Sequence, residues 1–172
     1  MNTFELQPRL LGELLELRPL RPDDWDALFA AASDPLIWEQ HPASDRYKED
    51  VFRQYFQGAL ECGGALLAID RETGEVIGSS RYYGYDAEKR EIEIGWTFLV
   101  RSRWGGRYNA EMKRLMVDHA LLFVDRVIFS VGSTNMRSRK AMEKIGGVLA
   151  GRKDSPMGEH VIYEIRRETP SH

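Results

Sequence analysis

Two short polar segments contain the residue types that bind phosphate groups. The first reads Arg101-Ser-Arg-Trp-Gly-Gly-Arg-Tyr-Asn109, and the second reads Ser133-Thr-Asn-Met-Arg-Ser-Arg-Lys140. Each comes directly after an apolar run typical of a β-strand and directly before a helical pattern. A helix start offers free backbone N–H groups and a positive dipole end, and glycines let the backbone approach an anion closely. The two segments therefore predict an anion site formed by two helix starts.

Each segment also has a simpler interpretation. Arg101, Arg103 and Arg107 can be solvated charges on a tight strand-to-helix turn, and Asn135 is a good helix cap in itself. Two basic helix starts after two successive strands favour a shared ligand instead. Coenzyme A is a suitable ligand, because it carries a pyrophosphate and a ribose phosphate, and its pantetheine arm can lie along a strand edge.

The composition limits the classes of protein that need to be considered. The chain has 172 residues, of which 42% are hydrophobic and 30% charged, which is typical of one globular domain. A net charge of -3 argues against a protein that binds nucleic acid over its whole surface. The single cysteine, Cys62, excludes an intramolecular disulfide and a thiolate metal cage, and the four histidines are scattered without ligand spacing. We expect a cytoplasmic protein with no metal, no signal peptide and no membrane span.

The elements that must position the two polar segments follow from the periodicity of apolar residues. The pattern predicts a strand, two helices, three strands, a helix, a strand, a helix and two strands, in a single domain over residues 1–172. The helices that follow the polar segments are expected over Gly106 to Val124 and Asn135 to Ile145. This order indicates the α+β class.

Five motifs, taken in order, resemble the GNAT superfamily of N-acetyltransferases, in particular the branch of the ribosomal-protein alanine N-acetyltransferases. They are Leu17-Arg-Pro-Leu-Arg-Pro-Asp-Asp24, Gly74-Glu-Val-Ile-Gly78, Glu93-Ile-Gly-Trp96, Trp104-Gly-Gly-Arg-Tyr-Asn-Ala-Glu111, and Asn135-Met-Arg-Ser138 with Glu143-Lys-Ile-Gly146. The resemblance covers nearly the whole chain. It implies a mixed, mostly antiparallel central sheet of about seven strands with about four helices. It also implies acetyl-CoA as the co-substrate.

The resemblance assigns cofactor-binding positions to both polar segments and to the strand end before the first. These positions are Phe98, Leu99, Val100, Arg101, Arg103, Gly105, Gly106, Arg107, Tyr108, Asn109, Asn135, Arg137, Ser138 and Lys140. The loop departs from the family pattern, because Ser102 stands where Gln or Arg is usual and Arg107 where Gly or Ala is usual. Arg107 cannot give the close backbone approach of glycine, but its guanidinium group suits a direct bond to phosphate.

Acetyl transfer to nitrogen requires a neutral amine, and an alkyl ammonium group has a pKa near ~10 in water, so a base is needed. Glu93 resembles the strand glutamate that often has this role in the family. Glu91, on the same face of the strand, His41 and water remain alternatives. The family's acceptor pocket implies contacts from Trp38, His41, Tyr83 and Glu93. Each of these residues also has an ordinary structural interpretation as packing or surface.

The leaving thiolate requires a proton. Many relatives have a tyrosine seven positions after the motif asparagine, where this chain has Met142, and a thioether has no proton to donate. In the ribosomal-protein branch a serine at the position of Ser138 has been assigned this role. The hypothesis is that Ser138 is the donor, and the alternative is that it only helps to cap the helix.

The sequence thus predicts an N-acetyltransferase that moves an acetyl group from acetyl-CoA to a primary amine by direct attack in a ternary complex. The amine belongs to a small molecule or to a peptide or protein N-terminus, and the protein is a monomer or a homodimer that binds neither nucleic acid nor membrane. Two alternatives remain open: a non-catalytic acyl-CoA-binding or sensing module, and a transferase of a larger acyl group such as succinyl.

Overall fold

The computed structural model describes residues 4–39, 41, 43–156 and 158–167. Eight strands form one sheet in the order β1-β2-β3-β4-β5-β6-β8-β7. The strands are β1 Leu10–Leu11, β2 Leu15–Pro19, β3 Ala65–Asp70, β4 Val76–Asp86, β5 Glu91–Leu99, β6 Arg126–Gly132, β7 Val148–Ser155 and β8 Gly158–Arg166. The helices are α1 Trp25–Ala32, α2 Pro35–Trp38, α3 Glu49–Cys62, α4 Arg107–Ala120 and α5 Met136–Lys144.

The predicted α+β fold with a mixed, mostly antiparallel sheet is confirmed, since only β5 and β6 run parallel. Two elements were not expected, the two-residue strand β1 and the one-turn helix α2, because both are too short to show a period. Helix α2 has a local cause, since Asp34 accepts a hydrogen bond from the Leu36 N–H at 3.0 Å and Pro35 occupies the first helical position.

Helices cover both faces of the sheet and divide the core into two. On one face α1, α2 and α3 pack against β3 and Phe98, around buried Leu28, Trp38 and Phe52. On the other face α4 and α5 contribute Met112, Met116 and Met142 to a second core with the sheet. We call these faces the α3 side and the α4 side.

Glu111 attaches α4 to the first hairpin. Its buried carboxylate accepts hydrogen bonds from the backbone N–H groups of Glu13, Leu14 and Leu15 at 2.8, 2.9 and 2.9 Å. Gly12 lies against it, and a Cβ there would approach the carboxylate to 2.5 Å. This contact fixes the direction of α4 and therefore the position of its N-terminus.

Strand β5 contains a bulge that determines which side chains reach each face. Ser79 pairs with Phe98 and Arg81 with Gly95, so β5 has one residue more than β4 over this interval. Trp96, in the bulge, has a φ of 55°. The bulge shifts the alternation of side chains, which places Phe98 in the core of the α3 side while Thr97 contacts Lys113 of α4.

Strands β5 and β6 separate after three pairs. Glu91, Ile92 and Glu93 pair with Arg126, Val127 and Ile128, and no later residue of β5 pairs with β6. A wedge-shaped gap therefore opens in the sheet beyond Glu93, with an unpaired strand edge along β5.

Candidate active site

The start of α4 presents a row of unpaired backbone donors. Within the described residues, no acceptor bonds the N–H groups of Gly105 through Asn109, and the first helical bond is from Ala110 to Gly106 at 2.9 Å. Gly105 and Gly106 have φ angles of 117° and 103°, which residues with a Cβ rarely adopt. The two glycines thus give the loop the shape in which several N–H groups can point at one anion.

Trp104 brings the two predicted segments together. Its indole Nε1 donates to the Leu99 carbonyl at 2.9 Å, and the guanidinium carbon of Arg137 lies 3.8 Å from its ring centroid. The stacked Arg137 belongs to the first turn of α5, so the starts of α4 and α5 flank the same end of the gap. Trp104 was quoted in the family motif but was not predicted to bridge the two helices.

Two of the predicted cofactor arginines are held by carboxylates of the chain itself. Arg101 Nε bonds Asp34 at 2.5 Å, and Arg103 Nε bonds Asp70 at 2.7 Å. The Tyr108 hydroxyl bonds the same oxygen of Asp70 at 2.9 Å. Burial alone would raise the pKa of Asp70, but these two bonds and two backbone N–H bonds from Glu72 and Thr73 lower it to about 2.

These contacts give Arg103 and Tyr108 a structural part in shaping the loop. Arg107, in contrast, is exposed and makes no ion pair among the described residues. It lines a groove of about 660 Å³ along α4 that also contains Lys113. Asn109 is half-buried and Lys140 is exposed. The cofactor contacts of all these side chains remain predictions.

The end of β5 has one N–H group that faces the gap. The Val100 N–H donates to the Ile77 carbonyl of β4 at 2.9 Å, and the Phe98 side chain is buried on the α3 side. The Leu99 carbonyl, bonded to Trp104, faces away from β4. Because the N–H and C=O of one strand residue point to the same side, the Leu99 N–H faces the gap. Leu99 is therefore the strand-edge donor best placed for pantetheine.

The start of α5 separates the roles of Asn135 and Ser138. The buried Asn135 side chain accepts the Ser138 N–H at 3.3 Å and caps the helix. The half-buried Ser138 hydroxyl makes no hydrogen bond with any described residue. Capping is therefore done by the Asn135 side chain, and the Ser138 hydroxyl remains available. Met142 is buried in the core of the α4 side, which accounts for its apolar character.

Glu93 lies at the last pair before the gap. Its carboxylate accepts a short hydrogen bond from the hydroxyl of Tyr83, its cross-strand partner on β4. Burial raises the pKa of Tyr83, and the neighbouring Glu93 carboxylate raises it further, so the phenol stays protonated and donates. The Tyr83 hydroxyl lies over Gly95, where a Cβ would approach it to 2.8 Å. Two of the four residues that we predicted for the acceptor pocket thus form one hydrogen-bonded pair.

His41 and Trp38 lie together on the α3 side, with ring centroids 5.5 Å apart. His41 Nδ1 accepts the Ala43 N–H at 2.9 Å. Burial lowers the pKa of His41 to about 4, and the charges of Arg46 and Arg137 lower it further in the same direction. Such a weak base is poorly matched to an ammonium group. Trp38 is only 1% exposed and donates to the Ala32 carbonyl at 2.9 Å, so it offers almost no surface to an acceptor directly.

Lys113 is a buried cation that the sequence reasoning missed. Its Nζ lies 3.1 Å from Thr97 Oγ1 and 5.2 Å from the centroid of the Phe129 ring, between β5 and β6. Burial lowers the pKa of Lys113 to about 8. A signal was present, because Lys113, Met116, Val117 and Ala120 form an i, i+3, i+4, i+7 stripe that is otherwise apolar.

Among residues 4–39, 41, 43–156 and 158–167, no group of three or more His, Cys, Asp and Glu side chains could hold a metal ion. The helices within these same ranges include none that is long and apolar enough to cross a membrane.

Comparison with known proteins agrees with this geometry. An acetyltransferase (GNAT) domain model matches residues 15–148. The curated uncharacterized N-acetyltransferase p20 of Bacillus licheniformis is 28% identical over 143 residues, covering 79% of this chain and 80% of that protein. The solved acetyltransferase from Agrobacterium tumefaciens strain C58 is 26% identical with a TM-score of 0.74, covering 97% of this chain and 99% of that one.

A third comparison shows the fold alone. Mycobacterium smegmatis RimJ, solved in complex with CoA-disulfide, is 21% identical with a TM-score of 0.64, covering 88% of this chain and 81% of that one. The domain match spans most of the chain, and the separated strands and uncapped helix start lie within it. This chain therefore belongs to the GNAT family of acetyltransferases.

Proposed function

We propose that this protein transfers an acetyl group from acetyl-CoA to a primary amine that is bound on the α3 side of the sheet. The observation that carries the proposal is the gap between β5 and β6. The Glu93 carboxylate lies at the closed end of the gap, where β5 and β6 are still paired. The unpaired N–H groups of Gly105 through Asn109 lie at the other end, where α4 begins. Acyl transfer from acetyl-CoA is the general chemistry of the family.

The reaction follows from these groups. The Glu93 carboxylate takes a proton from the ammonium group, directly or through water, and the neutral nitrogen attacks the thioester carbonyl carbon. The C–N bond forms while the carbonyl oxygen takes up the negative charge. The C–S bond then breaks, and the thiolate takes a proton from the Ser138 hydroxyl or a water molecule. The acylated nitrogen loses its second proton, directly or through water, and this proton restores the donor. The products are an N-acetyl amine and free coenzyme A.

Phosphate binding is assigned mainly to backbone groups. Arg101 and Arg103 already bond Asp34 and Asp70. The backbone N–H groups at the start of α4 are therefore the main donors left for phosphate. Arg107 is the exposed arginine of this loop without an ion pair among the described residues.

Arg107→Glu should weaken acetyl-CoA binding by about 1.5–3 kcal/mol, measured by calorimetry. A matched Lys89→Glu variant, in the exposed turn between β4 and β5, should change the affinity much less. Equal affinities of wild type and Arg107→Glu would show that Arg107 does not contact the cofactor.

The activity itself is tested by release of free thiol from acetyl-CoA with a panel of amines. We expect thiol release that depends on the amine, together with an N-acetyl product that mass spectrometry detects. Acetyl-CoA binding without turnover on any amine would indicate a sensing module instead. A parallel series with succinyl-CoA decides the acyl group, because faster turnover with it would overturn the assignment to acetyl.

A further inference from the structure

Two buried arginines on the α3 side have no carboxylate partner. Arg46, which follows α2, is 8% exposed, and Arg81, in β4, is 5% exposed. Neither forms an ion pair with any described residue. The Arg46 side chain makes no hydrogen bond in the described part of the chain, and Arg81 Nε is buried without a partner.

Aromatic rings and one carbonyl surround the two guanidinium groups. The Arg46 guanidinium carbon lies 5.4, 5.1 and 5.0 Å from the ring centroids of Trp38, Tyr55 and Trp96. The Arg81 carbon lies 5.0 Å from Tyr55 and 4.2 Å from Trp96. Arg81 Nη2 donates to the Tyr55 carbonyl at 3.2 Å. Burial lowers the pKa of Arg46, and the nearby charge of Arg81 lowers it as well.

This arrangement differs from that of other shielded arginines in the chain. Arg18, whose side chain is 21% exposed, pairs with Asp24 at 2.7 Å, and Arg103, at 18%, pairs with Asp70 at 2.7 Å. Burying a cation is unfavourable unless an anion compensates. Rings offset part of that cost, but two adjacent cations against the same rings also repel each other. The pair therefore lacks a compensating negative charge, which a ligand can supply.

The location of the pair connects it with the acceptor site. Arg81 pairs across the sheet with Gly95, and Tyr83 pairs with Glu93, so the two pairs are neighbours on β4 and β5. Residues two apart on a strand are separated by roughly 6–7 Å. Trp96, at 41% exposed, contacts both guanidinium groups and forms the side of the cluster nearest to solvent. A small molecule with its amine at Glu93 can therefore reach the arginine pair with a second group.

We propose that Arg46 and Arg81 bind a carboxylate of the acceptor, which makes the acceptor class an amino acid or another small amine that also carries a carboxylate. The inference rests on the proposed function, since it describes the same acceptor site. A carboxylate suits the pair better than a phosphate does. The cost of removing an anion from water rises steeply with its charge, and the aromatic rings make the surroundings of the pair weakly polar. Its planar geometry also matches the guanidinium fork.

The test compares matched amines in wild-type protein. Each amino acid of a panel is assayed beside its primary amide and beside the same molecule with a phosphate in place of the carboxylate. We expect kcat/KM for the amino acid to exceed that for its amide by about 10- to 100-fold, the usual effect of a charged hydrogen bond. Equal rates for acid and amide, or a preference for the phosphate compound, would overturn the proposal while leaving the acetyltransferase assignment intact.

Variants locate the effect. Arg46→Gln and Arg81→Gln should lower kcat/KM for the acid toward that for the amide, so the acid-to-amide ratio falls toward one. Arg53→Gln is the control, because Arg53 also lies over an aromatic ring, 4.5 Å from Trp25, but is exposed and pairs with Glu49. It should retain the acid-to-amide ratio of the wild type. The same ratio in Arg46→Gln, with folding verified by circular dichroism, contradicts the assignment.

A binding measurement separates failure of this proposal from failure of the proposed function. The protein is titrated with each amino acid while its tryptophan fluorescence is recorded, because Trp38 and Trp96 contact the arginines. A change that saturates in wild type and is lost in Arg46→Gln supports carboxylate binding even if no amine is acetylated. No change up to high millimolar concentrations, in protein that acetylates other amines, overturns it.

Discussion

The proposed cofactor region and the proposed acceptor region differ in how the positive charges of their arginines are compensated. At the starts of α4 and α5, Arg101 and Arg103 bond carboxylates, Arg137 stacks on Trp104 near solvent, and Arg107 is exposed. On the α3 side, the two arginines of the buried pair contact rings but no anion. The proposed cofactor region is thus the more basic in sequence, yet the α3 side contains two buried arginines that form no ion pair with any described residue.

This difference shows that the number of charges in a segment is a poor guide to which charges bind a ligand. In the cofactor region the unpaired groups are backbone donors, those of Gly105 through Asn109. A backbone cradle depends on loop shape and tolerates the loss of one side chain. A site formed by two arginine side chains is more sensitive, because removing either one removes one of the two charges that would bind the anion.

Glu93 tests the acceptor region where we expect the largest effect. Glu93→Gln should lower kcat by roughly 10²–10⁴-fold, because the amide cannot accept the amine proton. Acetyl-CoA affinity should stay close to that of wild type. The defect should shrink at high pH, where the free amine is already present, and a pH series of kcat measures this. Wild-type turnover at pH 7 would transfer the role to Glu91 or water.

Tyr83→Phe is the matched companion of that variant, because it removes the hydrogen bond to Glu93 and leaves the carboxylate in place. It should cost less than Glu93→Gln. A larger loss in Tyr83→Phe would mean that the tyrosine, and not the glutamate, is the essential group of the pair.

The parts that could be predicted from the sequence are those with local causes. Gly105 and Gly106 require positive φ, and Asn135 caps the helix that it precedes, so the cofactor loop could be located from short motifs. Arg46 and Arg81 depend on Tyr55 and Trp96, which are distant in sequence, and on a bulge that redirects Trp96. No period or motif encodes such a contact. The one available signal was an arginine inside an apolar strand.

The ion pairs of the cofactor loop were also beyond prediction. Asp70 ends β3, and its partners Arg103 and Tyr108 lie more than thirty positions later. The family resemblance assigned both side chains to the cofactor, and the guanidinium group of Arg103 also suits a phosphate. The contact of Asp70 with Arg103 and Tyr108 follows from the position of the end of β3 beside the loop, which only the folded structure shows.

Lys113 tests the argument that a buried cation without an anion destabilises the folded protein. It is another buried cation, and no carboxylate among the described residues bonds it. Burial lowers its pKa in the folded protein to about 8, from the ordinary lysine value of 10.5. Below pH 8 both states are protonated and the folded state bears the cost of a buried charge. That cost disappears as the pH rises from 8 toward 10.5. Lys113→Met should therefore raise the free energy of unfolding at pH 7 by about 3 kcal/mol at most.

The gain should decrease as the pH approaches 10, and urea unfolding at several pH values measures it. Lys89→Met, in the exposed turn after β4, is the control and should change stability by less than about 0.5 kcal/mol. A destabilised Lys113→Met protein at pH 7 would show that the bond to Thr97 and the contact with Phe129 outweigh the cost of burial. The argument that the arginine pair lacks an anion would then lose its energetic support.

Ser138 tests the cofactor region, where we expect the smallest effect. Thiols with a pKa near ~8.5 leave fairly easily without assistance, so the demand on a proton donor is modest. Ser138→Ala should lower kcat about tenfold, or near 1.4 kcal/mol of barrier, with little change in acetyl-CoA affinity. Because Asn135 provides the side-chain cap, the melting temperature should also stay the same. Asn135→Ala is the matched variant and should cost about 1 kcal/mol of stability.

Introducing tyrosine at Met142 is no substitute for this test, since that side chain is buried in the core of the α4 side. Unchanged turnover in Ser138→Ala would assign the proton to water. A lowered melting temperature with unchanged turnover would instead return Ser138 to a structural role, and the cofactor region would then act through its backbone alone.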